Sequence, residues 1–124
     1  MGKVGRFVND PKEGAYCQIT LDSGEKILVN HNKGGFKGGT LTIAQTKWMG
    51  LAGSTFFTCN LDAPEAKAAI GRLTKGVDPQ SARATPLGAL VEYVKDCPDI
   101  AGVRLKCSTL MTTAGGREAG GLVT

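Results

Sequence analysis

The amino-acid sequence predicts an α+β domain: a small, mostly antiparallel, barrel-like sheet of five to six strands with two amphipathic helices packed on it. Three observations carry this. Apolar residues recur at every second position through much of the first sixty residues, the period of a half-buried strand. From residue 62 to residue 97 the spacing changes to three and four, the period of a helix with one apolar stripe. Clusters of Gly, Pro, Asn, Asp and Ser separate these stretches, as turn chemistry requires. A chain of 124 residues, 41% hydrophobic and 21% charged, suits one domain with its own core.

Val4 to Val8 form a short apolar first strand, and "NDPKEG" from Asn9 to Gly14 turns the chain. "AYCQITL" alternates: Cys17, Ile19 and Leu21 fall on one face, Tyr16, Gln18 and Thr20 on the other. "DSG" at Asp22 to Gly24 closes a hairpin, and "EKILVN" returns as the third strand. After a glycine-rich stretch, "TLTIAQTKW" alternates again, with Leu41 and Ile43 opposed to Thr40 and Thr42. "STFFTCNL", rich in aromatic and β-branched residues, is the fifth strand. Five short strands joined by tight turns suggest a barrel or strongly bent sheet, of oligonucleotide-binding (OB) or SH3-like character.

In "DAPEAKAAIGRLTKG", Asp62 is the expected N-cap and Glu65, three residues on, completes a capping box. Pro64 sits in the first turn, where its missing N–H is harmless. Ala66, Ala69, Ile70 and Leu73 make the stripe, and Gly76 is the expected stop. Thr85 caps a second helix with Pro86 at its first position and Leu87, Leu90, Val91 and Val94 as its stripe; Pro98 ends it. "AGVRLKCSTLM" alternates once more, placing Val103, Leu105 and Cys107 inward on a final strand. The expected organisation is one domain over 1–111, with strands within 3–61, helices within 62–97 and a final strand at 100–111. "TTAGGREAGGLVT", residues 112–124, has no core pattern and reads as a flexible Gly-rich tail.

Little here points to catalysis. The four cysteines, Cys17, Cys59, Cys97 and Cys107, form no C-x-x-C pair. They read as reduced, buried, small apolar side chains, with a Cys97–Cys107 disulfide as the alternative. A zinc site would need all four to converge without the usual paired spacing. The single histidine, His31, lies in a strand neighbouring Cys17, but nothing in the sequence supplies a third group to orient its ring. The carboxylates fall in turns and at helix ends. The expectation is therefore a protein that is not an enzyme and uses no cofactor or metal. There is no run of eighteen apolar residues and no apolar h-region near the start, so the sequence predicts no membrane association and a cytoplasmic location.

Charge is more informative. Net charge is +4, and the stretch from Lys26 to Leu61 holds Lys26, Lys33, Lys37 and Lys47 without one acid. That stretch carries the whole excess, since eleven bases face eleven acids elsewhere. It includes "NHNKGGFKGGTLTI", in which two Lys-Gly-Gly units flank Phe36. Gly34 and Gly39 have the spacing of a phosphate-binding loop, but its lysine is missing and a strand pattern follows instead of a helix. Cations interleaved with aromatic faces suit single-stranded nucleic acid better. Lys26, Lys33, Lys37 and Lys47 would supply charge; Phe36, Trp48 and the outward-facing Tyr16 would supply stacking. The expected partner is single-stranded DNA or RNA, or another polyanion. The alternative is a protein-interaction or assembly domain in which this stretch only joins two strands and Phe36 covers the end of the sheet.

Overall fold

The computed structural model describes residues 2–11, 14–32, 39–45 and 55–114. Five strands come first: β1 (Lys3–Asp10), β2 (Gly14–Thr20), β3 (Lys26–Asn32), β4 (Thr40–Gln45) and β5 (Thr55–Asn60). Three helices follow: α1 (Pro64–Leu73), α2 (Pro86–Val94) and α3 (Ile100–Ala114), with a 3₁₀ turn at Ala82–Ala84 before α2. Each strand pairs antiparallel with the next, in the order β1-β2-β3-β4-β5. The class is α+β, but the expected barrel does not close: β1 and β5 are the two edges of an open meander. The chain turns into helices after β5, so helices rather than a closing strand cover the apolar face.

The alternation of the sequence sets which face that is. Cys17, Ile19, Ile27, Val29, Leu41 and Ile43 are all 1% exposed or less and lie side by side across β2, β3 and β4. Leu87, Leu90, Val91 and Val94 of α2 meet them, and six of the nine α2 residues are buried. Burying one such aliphatic side chain is worth about 1.5–3 kcal/mol, so this contact dominates the stability. At the β2–β3 turn, Gly24 takes φ +91°, which only glycine adopts without strain, and donates its N–H to the Leu21 carbonyl (2.9 Å). Ser23 N–H donates to the Pro98 carbonyl (2.9 Å), tying that turn to the segment between α2 and α3.

The second helix begins as expected. Thr85 Oγ1 accepts from Gly88 N–H at 3.0 Å and Pro86 opens the helix. The first does not. Its N-cap is Ala63, without a side-chain cap, so the Asp62–Glu65 capping box is not formed. Asn60 Oδ1 accepts instead from Asp62 N–H (3.0 Å), and the Asn60 carbonyl from Ala63 N–H (2.9 Å). This Asx turn hands the chain to Pro64 one residue late. At the other end Thr74 stops the helix, its hydroxyl donating to the Ile70 carbonyl (2.8 Å), and Gly76 lies two residues further on.

The largest correction concerns residues 100–111, expected as a sixth strand. They belong to α3, which also includes residues 112–114 of the expected tail. Val103 and Cys107 are inward as expected, but Leu105 is 67% exposed. A spacing of four fits both periods, which is why the two patterns were confusable. Leu110, 6% exposed and seven residues after Val103, fits only the helix. Asp99 starts that helix, its Oδ1 accepting from Gly102 N–H at 2.8 Å. The remaining tail, 115–124, lies outside the described residues.

Candidate nucleic-acid interface

The core residues of β2–β4 and the helices that bury them lie on one face of the sheet. The other face is built by the alternate residues of the same strands. One row across it is Tyr16, Asn30, Thr42 and Thr58; a second is Gln18, Leu28 and Ala44; Thr20 and Lys26 form a third. None of these side chains is buried, and those of Gln18, Lys26 and Thr58 are exposed. From β2 to β5 the described residues of this face carry no carboxylate and one cation, Lys26. Threonine, asparagine and glutamine supply hydrogen-bonding groups of either polarity around the Tyr16 ring.

Of the seven residues expected at the site, two are described. Tyr16 pairs with Asn30 and Lys26 with Thr20, so both are on the open face, two rows apart. Four residues of strand separate them, about 13 Å. Lys33, Phe36, Lys37, Lys47 and Trp48 lie outside the described residues. The chain leaves β3 at Asn32 and re-enters at Gly39 at one end of the two central strands; it leaves β4 at Gln45, at the other end. In sequence, Lys33, Phe36 and Lys37 follow the first of these strand ends, and Lys47 and Trp48 the second.

Cys17 and His31 do not form a catalytic pair. Both are on the core-facing side, but Cys17 is opposite Val29 while His31 is opposite Ala15. The Cys17 thiol donates to the Gly5 carbonyl (3.5 Å), toward β1, and burial raises its pKa. His31 continues the row of Ile27 and Val29 and borders a pocket beneath α1 that also includes Lys67. Extending the period of two by one residue beyond "EKILVN" would have put His31 on that face; nothing in the sequence indicated that Lys67 joins it.

All four cysteines are free thiols; Cys17, Cys97 and Cys107 are buried and Cys59 is half-buried. Among the described residues no group of three His, Cys, Asp or Glu could hold a metal ion, and no helix is long and apolar enough to cross a membrane. Burial, reinforced by neighbouring Cys97 and Cys59, pushes the Cys107 thiol from 9.0 up to about 12. A raised thiol pKa means that folding favours the neutral form. Its contribution to stability is complete below pH 9 and is lost as pH rises toward about 12. At about pH 8 an aromatic disulfide reagent is expected to modify Cys59 first and Cys107 only on unfolding. Mass-spectrometric mapping of the modified thiols checks this; Cys107 reacting as fast in the native as in the unfolded chain would contradict it.

Comparison with family models, with curated proteins and with solved structures found no match.

Proposed function

We propose that the chain binds single-stranded nucleic acid, or another extended polyanion, across the open face of its sheet. One observation carries the reading. The helices cover a single face, and the opposite face combines Tyr16, Lys26 and neutral hydrogen-bonding side chains with no carboxylate from β2 to β5 among the described residues. Stacking of a base on an aromatic ring is worth about 1–3 kcal/mol and tolerates any base. The segments carrying Lys33, Phe36 and Lys37, and Lys47 and Trp48, join the central strands at opposite ends. This suits a ligand that runs along the strands rather than one held at a single point. The likeness to oligonucleotide-binding barrels is then one of use, an exposed strand face, and the chain is a cytoplasmic, non-enzymatic binding module without a cofactor.

Fluorescence anisotropy with labelled single-stranded DNA and RNA tests this. Affinity is expected to fall by roughly one to two orders of magnitude between about 50 and 200 mM salt. Tyr16→Ala should weaken binding about five- to hundredfold at either salt, the equivalent of one stacked base. Lys26→Ala should weaken it and flatten the salt slope by about 0.7, and the double change Lys33→Ala, Lys37→Ala by about twice that. Binding of all three variants equal to that of the unaltered chain would exclude the open face and the basic segment as the site.

A second reading is favoured by β1. Val4 and Phe7 pair with the core-facing Ile19 and Cys17, yet are 39% and 43% exposed at the sheet edge. An edge strand with exposed apolar side chains can accept a strand from a protein partner. Such binding would be insensitive to salt and to Tyr16→Ala, and would be lost on Phe7→Glu.

A further inference from the structure

On the helix side of the sheet, at the β3–β4 end, an open pocket of about 370 Å³ is lined by His31, Leu61, Lys67, Ile70, Thr74 and Pro86. That volume lies within the range of small-ligand sites. Gly39 fixes one wall. It takes φ +89°, and a Cβ built on it would lie 2.8 Å from His31 Nε2 and 2.6 Å from the Asn32 carbonyl oxygen, so only glycine lets β4 begin this close to the imidazole. Gly71, also in the lining, faces the opposite situation: a Cβ there meets no heavy atom within 4 Å.

Among the described residues the polar groups of this lining are an imidazole, an ammonium and a hydroxyl, and none is a carboxylate. The Thr74 hydroxyl already donates to the Ile70 carbonyl. Lys67 meets Asp62 at 3.8 Å, but both side chains are largely exposed, so this ion pair is weak and its ammonium can turn toward a ligand. Leu61, Ile70 and Pro86 supply apolar wall. We propose that the pocket binds a small organic carboxylate with an apolar body. The carboxylate lies between Lys67 and His31, and the body lies against Ile70, Leu61 and Pro86. The reverse orientation would set the negative charge beside Thr74, where α1 ends and its terminal carbonyls repel an anion. Among the described residues of the lining, the one ammonium matches a single negative charge, and a phosphate group calls for more donors than these residues offer.

Two-dimensional NMR of the full chain, titrated with benzoate and hexanoate and in parallel with benzamide and hexanamide, tests the proposal. At least one carboxylate is expected to shift the amides of His31, Ile70, Gly71 and Thr74 saturably, with a Kd below about 1 mM. The matching amide, equal in shape but uncharged, should bind at least about tenfold more weakly. Lys67→Met should bring carboxylate affinity down to that of the amide. Gly71→Leu, whose side chain enters the open space, should fold as the unaltered chain does and lose binding. No saturable shift up to about 5 mM of either acid would overturn the proposal. So would equal affinity for acid and amide, a comparison that needs no variant to fold, or full affinity in a folded Gly71→Leu chain. The pocket is on the opposite side of the sheet from Tyr16 and Lys26, so either proposal can fail without the other.

Discussion

Gly88→Ala should destabilise the fold by roughly 3 kcal/mol or more, although the same change in a free helix is favourable by about 1 kcal/mol. A Cβ on Gly88 would lie 1.8 Å from the Ala82 carbonyl oxygen and 2.6 Å from its carbon. Both are backbone atoms of the 3₁₀ turn, so no side-chain rotation relieves the overlap. The same Ala82 carbonyl accepts from the Thr85 hydroxyl at 2.6 Å, and that hydroxyl accepts from Gly88 N–H at 3.0 Å. Moving the turn away would therefore also break the cap of α2, worth about 1 kcal/mol more. Since α2 is the helix seated on β2 and β3, the loss is felt across the core. Thermal unfolding should show a melting point lowered by about 10 °C or more. Gly71→Ala is the control: with no atom within 4 Å of the new methyl, it should raise stability by up to about 1 kcal/mol. Equal effects at the two glycines would mean that the close approach of α2 to residue 82 is wrong.

Leu110→Ala is expected to cost about 2–5 kcal/mol and Leu105→Ala less than about 0.5 kcal/mol. Leu110 is 6% exposed within the core of α3, together with Val103 and Cys107; Leu105 is 67% exposed. A strand over 100–111 would invert the order, because alternation would put Leu105 inward with Val103 and Cys107 and turn Leu110 out. Urea unfolding of the two variants separates the possibilities by the change in midpoint at constant slope.

These two experiments bear on what was and was not legible in the sequence. The five strands and the two proline-capped helices were legible because period and punctuation agreed: Ile27 and Val29 on one face, Gly24 at the turn, Thr85 and Pro86 at the helix start. The final element was not, because Val103, Leu105 and Cys107 alone satisfy a period of two. The decisive residues, Asp99 as cap and Leu110 as the next buried position, lie at the ends of that stretch. The open sheet was also missed. Strand count suggests a barrel, whereas closure depends on whether helices or strands cover the apolar face, and the alternation over residues 100–111 suggests a strand where the third helix lies. For the site, alternation put Tyr16 on the uncovered face, and the structure places Lys26 there too. That the end of β4 at Gln45 returns beside the Lys26 end of β3 follows only from the antiparallel pairing. The pocket at His31 needed three-dimensional information, since Lys67 is thirty-six residues away on another element.

Binding across the open face is tested most sharply by an NMR titration of the chain with a short single-stranded oligonucleotide at low salt. The largest shifts should fall on Tyr16, Gln18, Leu28, Asn30 and Thr42, which share the open face, and residues of α2 beneath the sheet should move little. Shifts concentrated on the helices or on β1, or none at all at low salt, would contradict it.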